Sequence, residues 1–335
     1  MKAIVCTKYG PPNVLRLKEM DKPIPRDNKA LVQVSAASIN AADLETLGGD
    51  FVSRITAPIK PKHKILGTDV AGKICEVGRN VKQFRVGDEI WGDLSFPLRS
   101  GTFAEYVCIP ENALRLKPVG MTFREAAAIP TAGVVALQNL LAKRPIQPGQ
   151  NVLINGAGGG VGTFAVQLAK YFGAEVTGVD SAEKLEMISS IGADHVIDYT
   201  QEDFTKSGRS YDLILDVVVH RWIYDYKRAL NPDGVAVMVG GSMTKVFINL
   251  LLGKLMTGSR KVGIGIWKPN KKEDLDLLKE LFEKDEIKPI IDKVYQLGEV
   301  PDAFRYLEGG RARGKLVVTV EHNNKEQIEG SGLVS

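Results

Sequence analysis

The chain changes its hydrophobic rhythm near its first third. Up to about Thr122 it runs in short extended stretches: "MKAIVCT", "KALVQVSAAS", "VAGKICEVG", "DEIWGD" and "FAEYVCIP". Turn residues such as Pro11-Pro12 and Gly87-Asp88 separate them. Short strands punctuated in this way predict a partly open β-barrel rather than helices. Beyond that point the spacing becomes helical. "TFREAAAIPTAGVVALQNLLAKRPIQPG" predicts two helices; Thr122 caps the first, and Glu125 three residues on completes a capping box.

From Asn151 the rhythm is strand, helix, strand. "VLIN" leads to a helix that places Phe164, Ala165, Leu168, Ala169 and Phe172 on one face, with Gly173 placed to end it. "AEVTGV", a helix from about Ala182 to Ser190, "HVIDY" and "YDLILDVVV" follow. "GVAVMVG" comes after the turn Asn231-Pro232-Asp233-Gly234. Continuous apolar strands alternating with helices predict an α/β unit with a parallel sheet covered on both faces. "VGIGIW", Val262 to Trp267, predicts a last edge strand. A charged helix, "KEDLDLLKELFEK", then leads to "GKLVVTV", a strand expected to return to the first unit. The reading therefore divides the chain into a mainly-β domain, residues 1–123 and 270–322, an α/β domain, 124–269, and a polar, disordered tail, 323–335.

Composition narrows the function classes. With 44% hydrophobic and 25% charged residues the chain reads as globular, without large-scale disorder. A net charge of +4 over 335 residues is too small to argue for nucleic acid. No apolar run reaches the roughly 18 residues of a membrane span. Cys6, Cys75 and Cys108 lie too far apart for a CxxC site, and their odd number argues against a disulfide framework. A reducing compartment follows as the expectation. The first residues lack the apolar core of a signal peptide, so a cytoplasmic location is expected.

The densest chemistry lies at Gly156-Ala157-Gly158-Gly159-Gly160-Val161-Gly162. These residues follow a buried strand and open a helix. A helix N-terminus carries unpaired N–H groups and partial positive charge, and glycines let a phosphate approach the backbone. The strict G-x-G-x-x-G spacing fails, because Ala157, Gly159 and Gly162 form A-x-G-x-x-G. An acid, Asp180, closes the next strand, followed by Ser181. Strand, glycine turn, helix, strand and acid together predict dinucleotide binding. A Walker-type loop is disfavoured, since no Lys-Ser/Thr pair follows the glycines.

With these residues in view, the chain resembles the medium-chain dehydrogenase/reductase superfamily, and within it the zinc-independent, quinone oxidoreductase-like branch. The resemblance rests on "VSAASINAADLETLGG", "GTDVAGKICEVGRNVKQFRVGDEIWG", "AAAIPTAG", "INGAGGGVGTFAVQLAK" and "LGEVPDAFRYLEGGRARGKLVVTV", among others. It implies a GroES-like substrate domain built from both chain ends, a Rossmann domain in the middle, and an active site between them. Zinc-dependent relatives carry a Cys and a Gly-His-Glu motif where this chain has Ile39-Asn40 and Gly67-Thr68-Asp69, so no zinc is expected. The one alternative ligand set, His63, Asp69 and Cys75, is disfavoured.

The resemblance implies reduction of quinones or α,β-unsaturated carbonyls by hydride from NAD(P)H. It places Asn40 beside the nicotinamide ribose and the substrate, where its amide can donate to an oxygen; a turn-capping role is the plainer alternative. Asp43 matches a family position and reads as structural. Relatives often hold Thr where Val135 stands, which leaves the ring to backbone groups. His220-Arg221-Trp222 follow a strand end facing the crevice; proton donation by His220 and a phosphate contact by Arg221 stand against a solvated loop. Asp180 favours NAD(H), whereas Lys184, Tyr199 and Arg311 match NADP(H)-using relatives; NADP(H) is favoured and NAD(H) stays open. A homodimer through the Val262–Trp267 edge is implied, with a small molecule as partner and no nucleic acid or membrane. Loops around residues 51–61, 94–101 and 242–256 are expected to shape the substrate pocket. A dinucleotide-binding sensor, assembly factor or structural protein with little turnover stays open as the second reading.

Overall fold

The computed structural model describes residues 1–95, 101–142, 144–241, 245–246, 248–249, 251–252, 261–265 and 267–322. The expected tail, 323–335, and most of the loops at 94–101 and 242–256 lie outside the described residues.

The apolar runs of the middle of the chain pair as a six-stranded parallel sheet. Its spatial order is His195–Asp198, Glu175–Asp180, Asn151–Asn155, Tyr211–Asp216, Leu230–Met238 and Lys261–Ile264. In chain order this is 3-2-1-4-5-6, the doubly wound dinucleotide-binding arrangement. The order reverses between Asn151–Asn155 and Tyr211–Asp216, which opens a crevice at their carboxyl ends. Across that switch point Asn155 Nδ2 donates to Asp216 Oδ1 at 2.9 Å. Lys261–Ile264 forms the edge, starting one residue before the stretch Val262–Trp267 read from "VGIGIW" and covering its first three residues; residue 266 lies outside the described residues.

The helix Gly160–Tyr171 buries Phe164, Ala165, Leu168 and Ala169, as its spacing predicts. Gly173, at φ +83°, supplies the left-handed residue that turns the chain out of it. Thr122 and Glu125 form the expected reciprocal cap of the helix Phe123–Ala128. A second helix, Pro130–Leu140, follows at once.

The first third contributes five strands to a seven-stranded sheet in which Lys29–Ile39 and Asp69–Val77 are central. The C-terminal strand Lys315–Thr319 pairs antiparallel with Lys29–Ile39, so the chain end does return to its beginning. One apolar cluster spans both units: Ala36, Ala71, Trp91 and Val317 of this sheet pack with Ala126, Ala127, Ala128 and the helices of the parallel sheet.

The helix Lys272–Glu283, read as part of the β domain, buries Leu275, Leu278 and Leu281 in the cluster that holds Ala132, Leu137 and Val152. Its amphipathic period identified a helix but not its partner. The helix packs on Pro130–Leu140. Leu278 touches the open side of Gly133, where an added Cβ would stand 3.1 Å from it. Leu278→Ala is expected to cost about 2–5 kcal/mol of stability, measured by urea unfolding. A cost near zero would return this helix to the surface of the β unit.

Candidate active site

Two polar centres lie where the units meet. The first surrounds the glycine turn. Gly156 takes φ +83°, and its N–H, with that of Ala157, reaches back to the Val179 carbonyl. A Cβ at Gly162 would stand 2.1 Å from the Gly156 carbonyl oxygen, so only glycine lets helix and turn pack this closely. Gly159 precedes the helix, and Gly160, Val161 and Gly162 open it. Their N–H groups occupy the positive end that suits a phosphate.

Gly158 departs from this role. Its N–H donates to Asp180 Oδ2 at 2.9 Å. Asp180 also accepts from the Ser181 N–H at 2.9 Å and pairs with Lys184 at 3.3 Å, both side chains being buried. The acid read as a ribose acceptor is thus already engaged, holding the turn against the second strand. Lys184 Nζ also donates to the Gly310 carbonyl at 3.0 Å. That bond brings the turn carrying Arg311 to the second strand's end. Arg311 lies over the Tyr306 ring, and Arg313 reaches Glu183 at 3.8 Å. The Tyr199 N–H donates to the Asp180 carbonyl, and its side chain is exposed beside it. Asp180, Ser181, Lys184, Tyr199 and the Arg311 turn therefore meet at one place.

The second centre is built on Asp69, which is fully buried. It stands opposite Ser38 on one side and Asp93 on the other, in a polar row across three strands. Ser38 Oγ donates to Oδ2 at 2.6 Å and Asn40 Nδ2 at 2.9 Å. Thr131 donates to Oδ1 through its N–H at 2.8 Å and its hydroxyl at 2.7 Å. Lys315 Nζ lies 3.4 Å from Oδ2 and donates to Asn40 Oδ1 at 2.6 Å. Pro130 opens the helix Pro130–Leu140 and has no N–H, while Ile129 has no capping side chain. Asp69 thus supplies the negative cap of that helix from a distant strand. The Lys315 stem also rests on the glycine turn, its Cδ 3.0 Å from where a Cβ of Gly160 would lie.

A cavity of about 120 Å³ opens beside this cluster. Ala42, Ile65, Leu66 and Trp267 line it, with Thr68 and Thr131 in its wall. Part of the expected loop 51–61 contributes through Ser53, Ala57 and Pro61. Asn40 is not in the wall. Its two amide protons go to Asp69 and, at 3.2 Å, to Thr68 Oγ1. Both amide protons of Asn40 are thus engaged in this arrangement. Asn40 is the N-cap of the helix Ala41–Gly48, and its N–H donates to Asp43 Oδ2 at 2.9 Å, the third helical residue reaching back to the cap.

Val135 is buried one turn beyond Thr131, outside the cavity wall, and its carbonyl accepts from Asn139 Nδ2. Arg221 pairs with Asp203 at 2.7 Å and lies over Phe204. His220 is exposed, with Nδ1 at 2.7 Å from the Val218 carbonyl oxygen. Trp222, half exposed, lies under the Lys245 ammonium. Sequence reasoning missed Ser38, Asp69 as a hub, Thr131 and Lys315. The available signal was polar residues at inward positions of apolar strands.

Burial pushes the Asp93 carboxyl up to about 7, and the neighbouring Asp69 charge adds to the shift. Burial likewise raises Asp43 to about 7 against the pull of the Asn40 N–H. Both bind protons in the folded state that the unfolded chain releases near pH 4. The folded state holds more protons between about pH 4 and 7, so these groups cost stability as pH rises through that window. Asp93 Oδ2 is buried with no hydrogen-bond partner among the described residues, whereas Oδ1 takes the Ser95 N–H and hydroxyl. Asp93→Asn is expected to stabilise the protein at pH 8 by roughly 1–3 kcal/mol and to flatten its fall in stability between pH 5 and pH 8. Thermal unfolding across that range measures it; an unchanged slope would rule out Asp93 as its source.

Two family models match the chain: "Alcohol dehydrogenase GroES-like domain" over residues 26–119 and "Zinc-binding dehydrogenase" over residues 191–318. The chain is 35% identical to the 2-methylene-furan-3-one reductase of Solanum lycopersicum, covering 95% of this chain and 79% of that one. It is 31% identical to the chloroplastic NADPH-dependent alkenal/one oxidoreductase of Arabidopsis thaliana, with the same coverage of 95% and 79%. The solved quinone oxidoreductase of Coxiella burnetii superposes with a TM-score of 0.87 at 32% identity, covering 96% and 99% of the two chains. The word zinc in a matching model invites a test of fit. Among the described residues no three His, Cys, Asp or Glu side chains converge as metal ligands. His63 lines the cavity, Asp69 faces Lys315, and Cys75 lies six residues along the strand, about 20 Å from Asp69. The set does not fit a zinc ion, and the Lys315 ammonium already faces the one central carboxylate.

Proposed function

The chain belongs to the medium-chain dehydrogenase/reductase family, among its quinone oxidoreductase-like and enone reductase members, and we propose that it reduces quinones or α,β-unsaturated carbonyls without a metal. It is an NAD(P)H-dependent oxidoreductase, and NADPH is the dinucleotide favoured in this reading. A single observation carries it. Lys315 touches both the Gly160 helix start and the Asp69 cluster, so the phosphate-binding turn and the cavity are contiguous.

Bound at the glycine turn, the reduced nicotinamide would supply the hydride. The chain's own part is to hold, orient and exclude water. Gly160 to Gly162 receive the pyrophosphate. Lys184 and the Arg311 turn stand where a 2′-phosphate would lie, and Lys184 offsets the Asp180 charge that would repel it. The apolar cavity admits a flat, weakly polar acceptor. Negative charge that develops on its oxygen needs fixed donors, and the wall provides hydroxyls in place of a Lewis acid. A homodimer joined along the Lys261–Ile264 edge belongs to the same proposal, because an unpaired edge strand offers open backbone groups. A cytoplasmic location rests on the three free thiols alone.

Oxidation of NADPH and NADH, followed by dihydronicotinamide absorbance with a small quinone and a simple enone, tests the activity. NADPH oxidation is expected to persist undiminished in a chelator. Binding of either dinucleotide without turnover of any acceptor would favour the sensor or assembly reading instead. Lys184→Gln keeps hydrogen bonding to Gly310 but loses the charge. It is expected to raise the Kd for NADPH about tenfold or more and to leave that for NADH little changed. An equal loss for both would make Lys184 a part of the fold only.

A further inference from the structure

The hydroxyls of the two threonines in the cavity wall differ in where their protons go. A carboxylate accepts and cannot donate, so every polar partner of Asp69 is the donor in that contact. This consumes the hydroxyl proton of Ser38, one amide proton of Asn40 and the hydroxyl proton of Thr131. The remaining Asn40 amide proton goes to Thr68 Oγ1 at 3.2 Å. Lys315 enforces this orientation. Its ammonium has only protons to offer, so the atom 2.6 Å away must be the amide oxygen of Asn40.

Thr68 therefore receives a proton and retains its own. Among the described residues, the hydrogen-bond partner open to that proton is Thr131 Oγ1 at 3.3 Å, a long neutral contact. Thr131 Oγ1 in turn gives its proton to Asp69 at 2.7 Å, a charge-assisted bond that outweighs it. The Thr68 backbone is pinned, its carbonyl accepting the Leu94 N–H at 2.8 Å. Its side chain is half-buried and lines the cavity. Donation by Asn40, itself held by Lys315, polarises the Thr68 hydroxyl and strengthens it as a donor.

We propose that Thr68 donates the hydrogen bond that stabilises the acceptor's carbonyl oxygen, with Asn40 and Lys315 as the residues that position it. The proposal rests on the hydride-transfer reading above. Hydride forms a new C–H bond at the β-carbon of an enone, and the π electrons move onto the carbonyl oxygen. NADPH is thereby oxidised to NADP⁺. Thr68 keeps its proton and hydrogen-bonds the resulting enolate oxygen; water then supplies the proton that completes the reduction. A quinone follows the same course through its quinol anion.

Thr68→Val and Thr68→Ser in the full chain test this. Valine matches the shape and loses the donor. It is expected to lower kcat by about 10²-fold with the KM for NADPH unchanged, and serine is expected to restore most of it. A second arm needs no dinucleotide. Bound 4-nitrophenol, whose phenolate colour reports its ionisation, is expected to ionise at lower pH in the wild-type cavity. Valine should abolish that shift and serine should keep it. A valine variant that matches wild type in both arms overturns the proposal, as does a wild-type cavity that leaves the phenol's ionisation unmoved. If wild type reduces no acceptor, the functional reading fails by itself, and the phenol titration alone decides for or against Thr68.

Discussion

The buried contact between Asp69 and Lys315 is the interaction on which the rest of the structure depends. The carboxylate is fully buried, and the lysine side chain is 2% exposed. Taking two such charges out of water is costly, and removing either partner typically costs about 3–5 kcal/mol because the other is left uncompensated. The pair is retained by what surrounds it. Ser38, Asn40 and Thr131 supply the remaining hydrogen bonds to Asp69. Those partners come from the end of Lys29–Ile39, the start of Pro130–Leu140 and the start of Lys315–Thr319. One carboxylate therefore joins the first third of the chain, its middle and its end.

The same contact orders the chemistry. Lys315 settles which way the Asn40 amide faces, and Asn40 then settles where the Thr68 hydroxyl takes its proton from. The lysine stem also rests against the first residue of the helix Gly160–Tyr171. A displacement at either unit is felt at the other through one side chain. The electrostatic consequence is local as well. One ammonium serves a region that also buries Asp43 and Asp93, and burial pushes both of these up to about 7. The Asp69 charge takes the ammonium, and its neighbours are left favouring their protonated forms.

Legibility in the sequence followed the range of each interaction. The helix Gly160–Tyr171, the cap of Phe123–Ala128 and the strands of the parallel sheet were readable because neighbours within a few residues determine them. The glycine turn was readable because bare backbone at a strand–helix junction has few other uses. The helix Lys272–Glu283 was readable as a helix, but its leucines carry no label for the surface they meet. Asp180 was readable as an acid at a strand end. That its carboxylate holds the Gly158 N–H and Lys184 depended on the turn folding back upon it. Asn40 was found by resemblance, and its partners Asp69 and Thr68 came only with the fold.

The sequence by itself determined the α/β class, the parallel sheet, the glycine turn at the strand–helix junction and the lack of a matching His at Thr68. Each of these is a matter of residue type or of periodicity along a short stretch. Only the tertiary structure decided that Ser38, Asp69, Thr131 and Lys315 form one centre. Lys315 and Asp69 are 246 residues apart, and no periodicity links them. Their meeting follows from the antiparallel pairing of Lys315–Thr319 with Lys29–Ile39, and of that strand with Asp69–Val77. Once those registers bring them together in a buried interior, charge and hydrogen-bond valence assign the protons around Asp69. The identities of donors and acceptors lie in the sequence, but the assignment of one to another exists only after the chain has closed.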